Sequence, residues 1–425
     1  MTVVLDGRTK GLAAGVTGLA LADVGRAGWN VLAEDLPLPL ALLKDSALRH
    51  NSAWMRRFLA ATGVALAPHG KTTMSPQLFA RQLADGAWGI TVATVQQLRV
   101  CREHGIARVL LANQLVGRQA IGYVLDELAR DPAFEFYALA DSVAGVDALA
   151  AAARARRATR RLRLLLECGV DGGRTGCRTL GQARAVAERI VAARDVVALA
   201  GVEGYEGSVP GATPDEQERN IGRFVGFMVE VAAACADAKW FDTEPVLLSA
   251  GGSAFFDLAA ALPKSLAGRP TQVLLRSGCY LTYDTDVYRR AFERMRDRTP
   301  AVAALGDGLH EALEVWAYVQ STPEPGLAIL TIGKRDVSHD LALPFPRWHF
   351  RPGAGGAPTA VPAHWRIATL NDQHGYLRTG SGPELRVGDM IGCAISHPCT
   401  TFDKWRFLPI VDDRYGVVDA VVTCF

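Results

Sequence analysis

The sequence lacks the features that mark secreted and membrane-spanning proteins. Its eight cysteines are scattered over 425 residues, with no CxxC pair and no closely spaced disulfide framework. No apolar run approaches the ~18 residues of a membrane span. The first residues, MTVVLDGRTK, carry acidic and basic side chains and no uninterrupted apolar stretch, so we expect no secretory signal. These absences favour a cytoplasmic protein with reduced thiols and no membrane partner.

The sequence also lacks an excess of charge of either sign. Lysine and arginine total 46 and aspartate and glutamate total 44, which gives a formal charge of +2. No broad cationic field is therefore available to hold a polyanion, and we expect no nucleic-acid partner. The one basic run, RARRATRRLR at residues 154–163, is interpreted as a solvated helix end.

Apolar residues, by contrast, are plentiful, and they recur in an alternating pattern. Hydrophobic residues make up 49% of the chain, enough for a large core in two domains or in one barrel with an appendage. Short β-rich runs alternate with amphipathic helical segments, which is typical of repeated βα units. Eight strands are predicted, at residues 64–67, 90–93, 109–112, 134–139, 162–167, 198–205, 246–250 and 273–276.

Eight strands with intervening helices indicate an α/β fold built on a closed, TIM-like (β/α)8 barrel, with a doubly wound open sheet as the alternative. We assign residues 36–295 to the barrel domain, and the apolar run 36–43 leads into it. Ser75, Thr94 and Thr179 are predicted helix N-caps. After about residue 300 the pattern changes to β-rich runs separated by turns. We assign residues 1–35 and 296–425 to a second, mainly β domain.

The segment VALAPHGKT runs from an apolar strand directly into His69 and Lys71. A lysine at the mouth of a barrel strand is suited to imine formation, because desolvation favours the neutral amine. An ordinary charge on the barrel rim is the alternative.

The seventh strand ends in Gly251, Gly252 and Ser253, whose backbone N–H groups can approach an anion closely. An ordinary βα turn would have the same glycines. An amine and a phosphate site together suit pyridoxal phosphate.

Other strand ends carry further candidates. The Gly-rich turn after the fifth strand can direct Arg174 over the barrel mouth, towards a pyridine nitrogen or an acidic substrate group. An ion pair with Asp171 is the alternative. Tyr205 and Tyr280 follow the sixth and eighth strands, where they could flank a ring or simply pack at the rim.

In the second domain, His397 and Cys399 are two residues apart in ISHPCTTFDKW. On an extended segment they would face the same side, and imidazole with thiolate suits zinc. Two protein ligands would leave coordination positions open, which favours a catalytic ion over a structural one.

Taken together, these motifs resemble the fold-type III pyridoxal phosphate enzymes related to alanine racemase, in particular the D-serine dehydratase and D-threonine aldolase branch. The resemblance spans roughly residues 40–410, with the motifs in the order that the family uses. They are PHGKT (68–72), CGVDGGRTG (168–176), GYEGS (204–208), AGGS (250–253), SGCY (277–280), LNDQHGY (370–376) and HPCTTFDKW (397–405).

The resemblance implies that Lys71 carries the cofactor as an imine and that residues 251–253 help to hold its phosphate. It also implies that His397 and Cys399 bind zinc, and that the chain forms a homodimer with the partner near each active site. Aldolases of this branch usually have Asp as the second metal ligand, so Cys399 resembles the dehydratases. The residue before PHGKT is Ala67 rather than the usual arginine, so no role of that arginine is carried over.

The activity that this resemblance implies is dehydration of a D-3-hydroxy amino acid such as D-serine to a 2-oxo acid and ammonia. Retro-aldol cleavage to glycine and an aldehyde is the nearest alternative. A non-catalytic cofactor-binding protein is a second alternative, which the additional domain with its metal pair argues against.

Overall fold

The fold was analysed in a computed structural model, which describes residues 3–380 and 384–425. Short strands and helices alternate through the first two thirds of the chain, and strands dominate the last third. The strands are β1 (Val4–Leu5), β2 (Leu19–Ala20), β3 (Leu40–Lys44), β4 (Ala65–Leu66), β5 (Ile90–Val92), β6 (Arg108–Gln114), β7 (Glu135–Ala140), β8 (Leu162–Cys168), β9 (Val197–Gly204), β10 (Val246–Ser249), β11 (Ser265–Leu266), β12 (Arg269–Leu275), β13 (Leu313–Glu324), β14 (Leu327–Leu330), β15 (Phe345–Phe350), β16 (Thr359–Ala360), β17 (Arg366–Leu370), β18 (Gly375–Arg378), β19 (Met390–Ala394), β20 (Phe407–Val411) and β21 (Val417–Val422).

The helices fall mainly between the strands of the first domain. They are α1 (Asp45–Thr62), α2 (Pro76–Ala84), α3 (Val95–Glu103), α4 (Arg118–Arg130), α5 (Val143–Ala155), α6 (Leu180–Ala192), α7 (Pro214–Asp237), α8 (Phe256–Ala260), α9 (Val287–Arg298), α10 (Pro300–Ala303) and α11 (Cys399–Phe402). No helix in the described ranges is both long and apolar enough to cross a lipid bilayer.

Eight parallel strands form the predicted barrel, in the order β4-β5-β6-β7-β8-β9-β10-β12. The strand β4 closes the circle. Its Leu66 pairs with Leu275 of β12 on one side, and its carbonyl accepts the N–H of Trp88 at 2.7 Å on the other. All eight predicted strands are present, each within a few residues of its expected bounds. The prediction of the (β/α)8 barrel is therefore confirmed.

Apolar side chains fill the inside of the barrel, because alternate residues of each strand point inward. Their shared feature is near-complete burial. The cluster comprises Ala67, Leu110, Tyr137, Leu139, Leu165, Ala200, Leu247 and Leu274. With the interior packed, a site has to form at a rim, and the carboxyl ends of the strands are the rim where barrels of this kind carry their sites.

The second domain is built around one antiparallel sheet, in the order β16-β15-β19-β13-β14-β18-β17, with β3, β20 and β21 attached. The strand β3 pairs with β13 and with β20. Residues 40–44, which the sequence analysis grouped with the barrel, therefore belong to this sheet. The segment LALL is fully buried, as is typical of a strand in a sheet that is covered on both faces.

The three predicted helix N-caps had different outcomes. Thr94 and Thr179 cap α3 and α6 by accepting the backbone N–H groups of Gln97 and Gln182, both at 3.2 Å. Ser75 occupies the N-cap position of α2 but makes no capping bond, because its hydroxyl donates to the side chain of the nearby Gln77.

Candidate functional site

A cavity of about 210 Å³ lies at the carboxyl ends of the barrel strands, where it meets the loop 396–399 of the second domain. Eight of the ten residues proposed from the sequence line this cavity. They are His69, Lys71, Arg174, Tyr205, Gly252, Ser253, His397 and Cys399. The remaining two, Gly251 and Tyr280, are not among the lining residues.

Lys71 lies in a short 3-10 turn, residues Gly70–Thr72, that directly follows β4. Its side chain is exposed into the cavity. The neighbouring His69 is enclosed, and burial, helped by the charge of Lys71, holds the pKa of its imidazole well below the usual range. His69 is therefore neutral, and its buried Nδ1 has no hydrogen-bond partner among the described residues. The imidazole of His69, which can donate or accept a hydrogen bond, thus lies in the cavity wall next to the amine of Lys71.

The glycine turn after β10 is occupied by a carboxylate. Glu206 is fully buried, its Oε2 accepts the N–H of Gly251 at 2.9 Å, and its Oε1 accepts that of Gly252 at 2.6 Å. The two backbone donors that the sequence analysis assigned to a phosphate are therefore already satisfied. Ser253 still lines the cavity, and its Oγ accepts the N–H of Cys279 at 3.3 Å.

Arg174 and Tyr205 form a pair at the rim, with the guanidinium carbon 4.5 Å from the centre of the tyrosine ring. No ion pair between Arg174 and Asp171 is present in the described ranges, so the structural alternative for this arginine is not realised. Burial raises the pKa of Tyr205, which is therefore a neutral phenol at neutral pH. The ring packs against Gly252, where a Cβ atom would come within 2.9 Å of Tyr205 Cε2.

The prediction for the second tyrosine is wrong. Tyr280 is only 3% exposed and lies beside Gln82 and Asp85, away from the cavity. The tyrosine that lines the cavity is Tyr288, at the start of α9. Since the chain turns sharply after β12, the side chain of residue 280 is directed into the helical layer.

Sequence reasoning also missed a buried contact between a glutamate and an arginine in the cavity wall. Arg276 Nη2 lies 2.6 Å from Glu203 Oε1, and both side chains are at most 5% exposed. Burial is the main cause that raises the pKa of Glu203 to about 8. The second oxygen, Oε2, has no hydrogen-bond partner among the described residues. The only sequence signal was a charged residue within an apolar strand end, in GVEGY and in LLRSG.

His397 and Cys399 lie together, as their spacing predicts, although they lie in a turn and not in an extended strand. His397 Nδ1 is 2.5 Å from Asp340 Oδ2, and contact with Cys399 is the main cause that raises the pKa of His397 to about 9. Hydrogen bonding by Cys279, and then by His397, lowers the pKa of Cys399. The backbone of His397 has φ of +55°, a left-handed conformation that is costly for a non-glycine residue.

The turn is held in place by the barrel domain. Asp284, 1% exposed, accepts the N–H of His397 on Oδ2 at 2.6 Å and the N–H of Tyr288 on Oδ1 at 3.1 Å. One carboxylate therefore fixes two cavity residues. Among the described residues, no group of three or more His, Cys, Asp or Glu is already gathered around a point that could hold a metal.

The remaining polar candidates lie outside the cavity. His374 is exposed in the turn between β17 and β18, and Asp403 pairs with Lys404. Arg290 and Arg335 pair with aspartates near them in the fold and do not line the cavity.

Comparison with known proteins agrees with this architecture. The curated D-threonine aldolase of an Arthrobacter species is 26% identical over 411 residues, covering 96% of each chain. The D-threo-3-hydroxyaspartate dehydratase of Delftia sp. (strain HT23) is 30% identical over 141 residues, or 33% of this chain and 36% of the relative.

Solved structures share the fold. The D-threonine aldolase of Filomicrobium marinum superimposes with a TM-score of 0.74 at 23% identity, covering 93% of this chain and 96% of the other. A cysteine-to-alanine variant of D-threo-3-hydroxyaspartate dehydratase in a metal-free form has a TM-score of 0.72 at 21% identity, covering 93% and 99%.

Two family descriptions match consecutive parts of the chain. Residues 44–262 match the N-terminal domain of alanine racemase, and residues 312–411 match a putative serine dehydratase domain. The first match alone covers half of the chain and includes most of the barrel. The chain therefore belongs to the alanine racemase-like, fold-type III family, for which pyridoxal phosphate is the expected cofactor, and carries a serine dehydratase-like second domain.

Proposed function

We propose that this protein is a pyridoxal phosphate- and zinc-dependent lyase that dehydrates a D-3-hydroxy amino acid to a 2-oxo acid and ammonia. The observation that carries the proposal is the shared cavity. An amine on Lys71, at the end of a barrel strand, lines the same space as the imidazole of His397 and the thiol of Cys399 from the other domain. One small substrate can therefore contact all three groups at once.

The residues around the cavity fit the expected cofactor. His69 Nδ1 and Glu203 Oε2 are buried polar atoms that lack a partner among the described residues, and a polar ring would supply one. Gly278 lets the loop after β12 lie directly against His69, since a Cβ at this position would lie 2.5 Å from the carbonyl oxygen of His69. Lys71 would attach the cofactor covalently, while Ser253, Tyr205 and Arg174 would hold it non-covalently.

When bound, the cofactor supplies an electron sink that stabilises negative charge at the substrate Cα. Lys71 Nζ then acts as the general base, because it is the amine that lies in the cavity and can take the Cα proton. The guanidinium of Arg174 lies at the rim, where it can bind the substrate carboxylate. Loss of the 3-hydroxyl as water and later addition of water leave a net conversion of D-serine to pyruvate and ammonia.

The donor set of the turn 396–399 fits a soft divalent ion. Imidazole and thiolate both suit zinc, and a carboxylate on the second ring nitrogen is the usual partner of a metal-binding histidine. Asp340 supplies that carboxylate to His397. His397 and Cys399 would hold the ion, whose Lewis acidity makes the substrate hydroxyl a better leaving group.

Retro-aldol cleavage is a second candidate, because the relative that matches 96% of the chain is a D-threonine aldolase. Cys399 favours dehydration, since the resemblance associates cysteine with the dehydratases and aspartate with the aldolases. D-threonine distinguishes the two reactions. We expect 2-oxobutanoate and ammonia, whereas glycine and acetaldehyde would indicate cleavage.

Three further measurements test the same proposal. L-serine should be inert, so comparable turnover of both enantiomers would argue against a D-specific site. A chelator should remove dehydratase activity and zinc should restore it, so full activity in metal-free protein would exclude the role of the ion. Absence of any turnover with a panel of D-3-hydroxy amino acids, by protein that binds the cofactor, would favour the non-catalytic alternative.

We propose in addition that the protein assembles as a homodimer. The support is the family resemblance, which implies a partner chain near each active site. Analytical ultracentrifugation of the protein with its cofactor should give twice the mass of one chain, and a monomer mass at assay concentration would overturn this part of the proposal.

A further inference from the structure

The cavity contains a second thiol that the proposed function does not use. Cys279, in the loop after β12, is 4% exposed, and its Sγ lies 3.7 Å from Cys399 Sγ. Thr72 Oγ1 contacts both thiols, at 3.7 Å from Cys279 and 3.6 Å from Cys399. The barrel and the second domain thus each contribute one sulfur to the same point, adjacent to Lys71.

The distance between the two sulfurs matches that of two thiolates bound to one metal ion, and it is too long for a disulfide bond. A disulfide requires sulfur atoms about 2.05 Å apart. Two thiolates on one tetrahedral zinc, each at about 2.3 Å, lie about 3.8 Å from each other. The observed distance is 3.7 Å, and Cys279 and Cys399 are both free thiols.

The third donor is close to this pair. Asp340 occupies Nδ1 of His397, which leaves Nε2 as the nitrogen for a metal, and His397 lines the same cavity as the two thiols. The backbone N–H of His397 is fixed by Asp284. Without an ion the three donors are not focused on one point, so the imidazole or a thiol must rotate when the ion binds.

We propose that Cys279 is a third protein ligand of the metal, beside His397 and Cys399. This inference rests on the metal site of the proposed function. Two thiolates and one imidazole leave a single open position on a tetrahedral ion, which is the arrangement of a catalytic zinc site. Two soft ligands also favour zinc over manganese, which prefers oxygen. The site would then be completed only when the two domains are docked.

The test counts sulfur ligands directly. Reduced, cofactor-containing protein is stripped with a chelator, reloaded with one equivalent of zinc, and measured by X-ray absorption at the zinc edge. We expect two sulfurs per zinc in the wild type, one in Cys279→Ser, and two in Cys424→Ser, a half-buried cysteine outside the cavity. The zinc dissociation constant, from chelator competition, should rise roughly tenfold or more in Cys279→Ser only.

The outcomes separate this inference from the proposed function. A wild type that binds zinc and dehydrates substrate with one sulfur ligand overturns the role of Cys279 alone. Two sulfurs retained in Cys279→Ser do the same. A reloaded wild type that holds no zinc overturns both the inference and the metal part of the proposed function. If Cys279→Ser does not fold, the sulfur count of the wild type still decides.

Discussion

The carboxylate of Asp284 and the backbone of His397 are joined across the two domains by a hydrogen bond of 2.6 Å. The same carboxylate also receives the N–H of Tyr288 and the hydroxyl of Ser396. It is the contact through which the barrel sets the position of the candidate metal ligand. Because His397 has a positive φ, its backbone needs such a restraint to keep its conformation.

Asp284→Asn should therefore weaken metal binding without removing a ligand. The asparagine side chain keeps one oxygen, which can still accept hydrogen bonds. Its NH2 group replaces the second oxygen and would face donors that this oxygen accepts in the wild type, and this mismatch should loosen the turn. We expect the zinc dissociation constant to rise about 10- to 100-fold, with little change in the visible absorbance of the bound cofactor. Ser396→Ala, which removes only the 3.2 Å bond, is the matched control. Equal zinc affinity in Asp284→Asn and wild type would contradict the positioning role.

Lys71→Ala should abolish both covalent attachment of the cofactor and catalysis. Removal of the general base is expected to lower kcat by about 10²- to 10⁴-fold, with loss of attachment adding to that. The measurements are the visible spectrum and borohydride reduction followed by peptide mapping. Lys334→Ala, at an exposed position of the second domain, should behave as wild type. A reducible linkage that persists in Lys71→Ala would show that another lysine carries the cofactor.

Glu206→Gln should destabilise the turn after β10. The buried carboxylate accepts two backbone N–H groups, and an amide can satisfy only one of them while bringing an unpaired donor. A buried unsatisfied group costs about 1–3 kcal/mol, so Tm should fall and the cofactor should dissociate more readily. Glu216→Gln, at an exposed helix N-terminus, is the control. An unchanged Tm would mean that the two glycine N–H groups find other acceptors.

Glu203 should make stability depend on pH. Burial raises its pKa from 4.5 to about 8, so between these values the folded protein holds a proton that the unfolded chain releases. The stabilisation by this proton is complete below the unfolded pKa of 4.5 and is lost as the pH rises through the folded pKa of about 8. Tm of the wild type should therefore fall more than that of Glu203→Gln between about pH 5.5 and pH 8.5. Glu188→Gln, on the surface, should follow the wild type. If the Tm difference between wild type and Glu203→Gln is the same at every pH, the raised pKa of Glu203 is contradicted.

The barrel was predictable from sequence because its signal is local and repeated. Each βα unit alternates an apolar run with an amphipathic helix, so eight strands could be counted directly. Strands of the second domain were harder to find. Both β15 and β20 contain a proline, Pro346 and Pro409, and proline argues against a paired strand. In the fold these residues still have cross-strand neighbours, Cys393 and Ala420.

The candidate site was predictable where a motif follows a strand and not where tertiary packing decides. Lys71, His397 and Cys399 stand at the positions that their motifs indicate. Glu206 lies within the motif GYEGS, but its hydrogen bonds to Gly251 and Gly252 arise because β9 and β10 are neighbours in space. The approach of Cys279 to Cys399 depends on domain docking, which leaves no pattern along the chain.

The placement of β3 has a consequence for synthesis of the protein. This strand precedes the barrel in the chain, yet its partners β13 and β20 follow the barrel. A ribosome therefore releases the apolar LALL segment long before either partner exists. The strand can join its sheet only after the whole barrel has been synthesised, and an unpaired apolar strand is prone to aggregate until then.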